Sequence, residues 1–341
     1  MKEITSMKDI ADLCGVSYST VSRVLSGKSY VKEETRQKVM EVVNKSNFKP
    51  NPLAQYLKSG ESKTICLMLP SYGNLIFPIV MRGVDEVARK KGYKAFFSVT
   101  DEREEQEEAL YKEMLTRQVA GFIICSAIGN EKAIYDLHDQ GIPIVLVNRF
   151  QKEDVGKIDT ISIDNYQAGY NATSYLIRCG CKRIAIACGD KRLFLYNERL
   201  RGYVDALKAN NLPYDPSLVL SEPPEGQEAY YNVTKRIMLS SNHPDAFFAT
   251  SDPKAFIIMR ALHDLHLRIP EEVSVISIDN VELSAYMEPP LTTISQPLMN
   301  MGEIAMEQIL QQIRYKKENG VLPAGKNITL DYDLIIRQST K

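Results

Sequence analysis

MKDIADLCGVSYSTVSRVLSG, residues 7–27, holds two short helical patterns separated by one glycine. Met7, Ile10, Ala11 and Cys14 recur at i, i+3, i+4 and i+7, the period of an amphipathic helix. Ser6, with Asp9 three residues on, reads as a capping box in which Asp stands where Glu is usual. Gly15 ends this helix, and Ser17 can cap a second whose apolar stripe is Val21, Val24 and Leu25. Tyr18, Ser19, Ser22 and Arg23 then share the opposite, outward face. Ser26-Gly27 closes that helix, and Val39, Val42 and Val43 mark a third. A helix, a short turn containing Gly and a second helix form the helix-turn-helix arrangement, whose second helix enters the DNA major groove by its N-terminus. Arg can pair bidentately with guanine, and Ser can serve bases or phosphates. Taken alone, these residues also fit a small helical subdomain with solvated polar faces.

The next stretch is FKPNPLAQYLKSG, residues 48–60. Pro50 favours an extended entry, Asn51 can cap, and Pro52 fits the first helical position. Leu53 and Leu57 fall on one face, but a helix over Pro52–Lys58 is too short to hold in water alone. It is expected to form only against a partner surface. Residues 1–60 hold ten Lys/Arg against six Asp/Glu, so a head of charge +4 leaves −5 for the remainder of a chain whose net charge is −1. That asymmetry suits a polyanionic partner for the head only.

From Thr64 onward the pattern changes. The apolar runs ICLML, KAFFSV, GFIIC, PIVLV, RIAIAC, DAFFA and VSVISI alternate with helical stretches such as IVMRGVDEVARKKG and AGYNATSYLIRCG. Several of these helices end at Gly92, Gly141 and Gly180. Continuous apolar strands alternating with helices predict parallel sheets covered on both faces. The count suits two sheets, with a break in the polar stretch Gln151–Thr160. Ligands in such folds bind beyond the carboxyl ends of the strands. There the sequence offers Ser71-Tyr72, Ser126, Asn148-Arg149, Ser251-Asp252 and Asp279-Asn280, hydroxyl, amide, carboxylate and guanidinium groups suited to a small polyhydroxylated ligand. Asp252 could equally cap the helix that follows it. The acidic run DEREEQEE (101–108) reads as a solvated helix start.

The joint pattern MKDIADLCGVSYSTVSRVLSG and KPNPLAQYLKSG resembles the head and hinge of the LacI/GalR bacterial transcription regulators, and the resemblance continues to near the C-terminus. It implies that Tyr18, Ser19 and Arg23 read bases and that Ser17 contacts phosphate. Thr20, Ser22 and Asn51 complete the implied DNA-contacting set. Leu57 matches the hinge leucine that wedges into the minor groove, and Ala54 the small residue beside it. Lys32 departs from the family, which often has a small capping Ser there. The body resembles the family's periplasmic-binding-protein-like module. Phe77, in GNLIFPIV, matches its aromatic ligand platform, Arg199, in RLRGYVDAL, the effector-binding arginine, and Asp279, in SVISIDN, the acid that pairs with ligand hydroxyls. Ser71, Ser126, Asn148, Ser251 and Gln296 fall at further contact positions. Ile76 and Cys125 are apolar where some relatives are polar or aromatic.

The expected architecture is α/β: an all-α helix-turn-helix head (1–50), a hinge helix and linker (51–60), and a two-lobed periplasmic-binding-protein-like body with two parallel sheets (61–341). Lobe one is expected over about 61–160 plus 293–325, and lobe two over about 161–292 plus 326–341. The expected function is sequence-specific DNA binding as a repressor, controlled by a sugar or sugar derivative. The expected partners are double-stranded, near-palindromic operator DNA, the small-molecule effector and a second copy of the chain. With no trailing leucine heptad, a homodimer is favoured over a tetramer. No apolar run approaches the roughly 20 residues that span a bilayer, and the charged N-terminus lacks a secretory pattern, so a cytoplasmic location away from membranes is expected. The six cysteines form no CxxC pair and mostly sit in apolar runs. His263 and His266 have no cysteine or carboxylate cluster around them, so no metal or other cofactor is expected. No GxGxxG, P-loop, GxSxG or HExxH motif supports an enzyme or a catalytic residue. A transport-type sugar-binding protein would need a secretory signal and no DNA-reading head.

Overall fold

The computed structural model describes residues 6–26, 30–46, 62–126, 131–221 and 229–341. The chain divides into two compact units, Met1–Ser62 and Lys63–Lys341.

The head contains α1 (Met7–Cys14), α2 (Tyr18–Ser26) and α3 (Glu33–Ser46). The capping box forms as the sequence predicts: the Asp9 N–H donates to Ser6 Oγ at 3.2 Å, and the Ser6 N–H donates to Asp9 Oδ2 at 2.9 Å. Gly15 ends α1 in the left-handed conformation, φ 64°. Ile10, Ala11, Cys14, Val21, Val24, Val39 and Val43 close the core between the three helices. α3 begins directly after Lys32 with two acids, Glu33 and Glu34, in its first turn, where the helix dipole favours them.

The body contains twelve strands among the described residues, in two sheets. The first sheet has the order β11-β5-β4-β3-β1-β2, built from β1 (Thr64–Leu69), β2 (Lys94–Val99), β3 (Gly121–Ile124), β4 (Ile144–Val147), β5 (Asp159–Ile163) and β11 (Asn327–Leu330). All its pairings are parallel. The second has the order β12-β10-β9-β8-β6-β7, built from β6 (Ile184–Ala187), β7 (Val219–Leu220), β8 (Ala246–Ala249), β9 (Ser274–Asp279), β10 (Thr292–Ser295) and β12 (Asp333–Ile335). It is parallel except for β12 on β10. The central strands are buried along their whole length because helices cover both faces, which explains their unbroken apolar runs.

The chain crosses between the lobes after β5, after β10 and after β11, so the crossings lie near 164, 296 and 331. The sequence boundaries of 160, 293 and 326 are displaced by a few residues. Residues 151–158 form a loop within lobe one, containing a 3-10 turn at Lys152–Asp154, and β5 that follows still belongs to the first sheet. Apolar strands look alike whichever sheet they join, so pattern alone does not specify membership. The helices expected to end at Gly92, Gly141 and Gly180 are followed by these residues at φ 72°, 77° and 90°.

Helices α4 (Ile76–Lys90), α5 (Glu104–Thr116) and α6 (Glu131–Asp139) belong to lobe one, and α7 (Asn165–Arg178), α8 (Phe194–Ala209), α9 (Ala229–Met238) and α10 (Asp252–Asp264) to lobe two. Glutamates do crowd the first turn of α5, but Glu107 is buried rather than solvated. α7 and α8 press together so closely that a methyl on Gly169 would strike the Arg199 carbonyl, and one on Gly202 the Tyr166 carbonyl. That contact fixes the backbone from which Arg199 projects.

Candidate functional site

In the head, α2 carries Tyr18, 42% exposed, with Ser19 and Arg23 also exposed, while Val21 and Val24 face the core. Ser17 caps the helix: its Oγ accepts from the Thr20 N–H at 3.1 Å and lies 2.7 Å from Ser19 Oγ and 2.8 Å from Thr20 Oγ1. Thr20 and Ser22 are half-buried, so the outward face is narrower than helical spacing alone suggests. Asn51, Ala54 and Leu57 lie outside the described residues.

A cleft of about 280 Å³ opens between the lobes, lined by Ser71 and Arg149 of the candidate residues, with Asp190 and Tyr196 on its lobe-two wall. Backbone turns at strand ends aim several of them. Asn148 follows β4 at φ 62°, and Asp279 ends β9 at φ 137°, conformations that non-glycine residues rarely adopt. In lobe one, Phe77 sits in the first turn of α4 with the Arg149 guanidinium 6.0 Å from its ring centre. Arg149 Nη1 also donates to Glu102 Oε1 at 2.8 Å. Ser126 is drawn elsewhere: its hydroxyl donates to Glu107 Oε1 at 3.3 Å, an oxygen that also accepts from the Tyr111 hydroxyl. At the mouth, the Phe150 and Phe194 rings meet at 6.2 Å, and Gln151 Nε2 donates to the Arg192 carbonyl, linking the two lobes.

Lobe two builds a denser network. Arg199, 2% exposed, donates from Nε to Asn165 Oδ1 at 2.9 Å and from Nη1 to the Thr250 carbonyl at 2.5 Å. Burial lowers its pKa, and the nearby Asp279 charge opposes that shift. Asp279 accepts from Gln296 Nε2 at 2.7 Å and from the Asp252 N–H at 3.3 Å. Burial, and secondarily repulsion from Asp252, push its carboxyl up to about 7. Asp252 does not cap α10 with its side chain. Its carboxylate instead accepts from Ser277, Ser284, Thr293 and the Val281 N–H, tying β9, β10 and the loop between them to the helix start. Ser251 accepts from Lys254 Nζ at 3.2 Å.

Two buried side-chain oxygens at the cleft residues, Asn148 Oδ1 and Gln296 Oε1, have no hydrogen-bond partner among the described residues. Buried polar atoms are mostly paired in folded proteins, so these two acceptors stand out. The sequence reading did not single out Lys254, Tyr196 or Asp190. Lys254 left a signal, being a lysine on the stripe Lys254, Ile258, Ala261 and Leu262, all of them buried in α10. Asp190 and Tyr196 had none, since nothing local separates a cleft-lining segment from any other.

Residues 6–51 match the family described as bacterial regulatory proteins, lacI family, and residues 173–340 match a periplasmic binding protein-like domain. The ribose operon repressor of Haemophilus influenzae is 30% identical over 336 residues, covering 98% of this chain and 98% of that one. The Lac repressor dimer bound to operator and the anti-inducer ONPF has a similar fold, with a TM-score of 0.85 at 24% identity over 98% of each chain. A LacI family transcriptional regulator from Enterococcus faecium, with bound ribose, has a TM-score of 0.70 at 27% identity, covering 82% of this chain and 98% of that one. No described helix is long and apolar enough to cross a membrane. With a helix-turn-helix head, a two-lobed body and a relative alike along nearly its whole length, the chain belongs to the lacI family of bacterial regulatory proteins, as a DNA-binding transcriptional repressor with an effector-binding domain rather than an enzyme.

Proposed function

We propose that the effector is a sugar or sugar derivative held in the cleft, and that a homodimer applies two heads to a near-palindromic operator. The observation that carries the effector reading is the pair of orphaned acceptors, one from each lobe: Asn148 Oδ1 and Gln296 Oε1. Acceptors of this kind take hydroxyl donors, and the Asp279 carboxyl adds another. Phe77 supplies an apolar surface for a ring face, Ser71 and Ser251 supply hydroxyls, and Arg199 supplies charge. Ser126, engaged by Glu107, contributes least.

On the DNA side, Tyr18, Ser19 and Arg23 read bases and Ser17 contacts phosphate, with Leu57 of the hinge in the minor groove. A second copy of the chain is supported by the edge strand β2, whose Phe96 and Phe97 are 54% and 39% exposed. Calorimetric titration of the full chain with ribose, glucose and purine bases tests the effector reading. Sugar binding that Arg199→Ala and Asp279→Asn each weaken by about tenfold or more is the expected result. Binding of purine bases alone would replace the sugar with a heteroaromatic ligand.

A further inference from the structure

Beside the cleft the two lobes touch through side chains that cross from one to the other. Phe194, the first residue of α8 in lobe two, packs against the core of lobe one, with its ring 6.2 Å from that of Phe150. Gln151 Nε2 of lobe one donates to the Arg192 carbonyl of lobe two at 3.0 Å. Around this contact stand four charges, two from each lobe. In lobe one, Arg149 Nη1 donates to Glu102 Oε1 at 2.8 Å. In lobe two, Arg192 donates to Asp190 Oδ2 from Nε at 2.9 Å and from Nη2 at 2.6 Å. Glu102 and Arg149 line the cleft from one side and Asp190 from the other. Asp101, also on the wall, is paired with Arg103 at 3.5 Å. The attraction also runs between the lobes. Burial acts to raise the Asp190 carboxyl, but Arg192, with Arg149 across the cleft, outweighs it and holds Asp190 low. Asp190 raises the Arg192 guanidinium, and Glu102 and Glu104 of lobe one raise it further.

We infer that these residues form a clasp: Arg149 attracts Asp190 and Glu102 attracts Arg192 across the cleft, while Phe194 seats in lobe one. The chain's own side chains thus hold the lobes together, and the effector adds to a closure that it does not create. The clasp does not depend on which molecule the cleft takes. Its members differ in exposure, from 10% for the Arg149 side chain to 43% for Glu102 and 67% for Arg192. Ion pairs this open to solvent are individually weak and are screened by salt. A clasp built from them is marginal and reversible, as a body that must admit and release a ligand requires. It also makes the balance between closed and open lobes a function of ionic strength.

The sequence contains no Trp, so Phe194→Trp places a single tryptophan at the contact between the lobes. Its quenching by acrylamide, an uncharged molecule, reads how open the contact is in the dialysed full chain. Exchanging the two charges of lobe two (Asp190→Arg with Arg192→Asp) keeps an ion pair inside that lobe but sets like charges across the cleft. In dilute buffer this exchange should raise the quenching constant by about twofold or more. Exchanging lobe one as well (Glu102→Arg with Arg149→Glu) restores the alternation and should bring quenching back to within about 1.3-fold of the parent. Raising NaCl from about 0.05 M to 1 M shortens the screening length to roughly 3 Å, so the parent and the lobe-two exchange should converge. That convergence decides the matter if the fourfold variant does not fold. Quenching unchanged by the lobe-two exchange, a fourfold variant as open as that exchange, or a gap undiminished at high salt overturns the clasp.

Discussion

The head and the body differ in where they place the side chains proposed to recognise a partner. In the head, Tyr18, Ser19 and Arg23 stand exposed on a helix whose other face closes a small core. In the body, Phe77, Arg199, Ser251 and Asp279 are each no more than 4% exposed, and the last three are wired into the hydrogen-bond network of lobe two. A duplex is a large external polyanion, so the protein can read it from its surface. A small ligand offers little area, and must be surrounded by desolvated groups to be bound selectively. The difference teaches that recognition and stability are separable in the head and entangled in the body.

The largest test of that contrast is Asp252→Ala. It strands the hydroxyls of Ser277, Ser284 and Thr293 and the Val281 N–H in a buried site, and should destabilise the body by about 3–5 kcal/mol in denaturant titration. A loss below about 1 kcal/mol would mean that the network is incidental to the fold.

Asp279 entangles the two properties through pH. Its native carboxyl is raised to about 7, against about 3.9 in an unfolded chain. The native state thus holds the proton more tightly, a contribution complete below about pH 4 and lost as pH rises through about 7. Relative to Asp279→Asn, the wild-type body should lose on the order of 2–4 kcal/mol across that window, read from unfolding at a series of pH values. Parallel stability curves for the two proteins would show that Asp279 is ionised throughout.

Arg23→Ala should do the reverse of both. It should cost about 1–3 kcal/mol on the cognate operator and relax preference at one base pair per half-site. Thermal stability should stay within about 0.5 kcal/mol, because the side chain is exposed. An equal loss on random DNA would reassign it to phosphate contact.

The smallest effect is expected at Ser126. With its hydroxyl donating to Glu107, Ser126→Ala should change effector affinity by less than about twofold while lowering body stability by about 1 kcal/mol. A tenfold loss of binding would return Ser126 to the cleft.

What the sequence determined by itself was local. Helical period, the Ser6–Asp9 box and Gly15 specified the head and its outward face within some twenty residues, because caps and amphipathic stripes are short-range physics. Alternating apolar strands and helices specified a parallel α/β body with polar groups at strand ends. Tertiary structure decided the rest. Sheet membership of β5, β10 and β11 depends on crossovers that strand composition does not encode. Asp252 became a hub rather than a cap because residues 25 to 41 positions away supply its donors. Glu107 is buried because Tyr111 and Ser126 reach it, although its own segment reads as solvated. Lys254 of α10 reaches the hydroxyl of Tyr196 in α8, 58 residues earlier in the chain. A side chain's partners are set by three-dimensional proximity, and long-range proximity leaves no periodic trace in the chain that creates it.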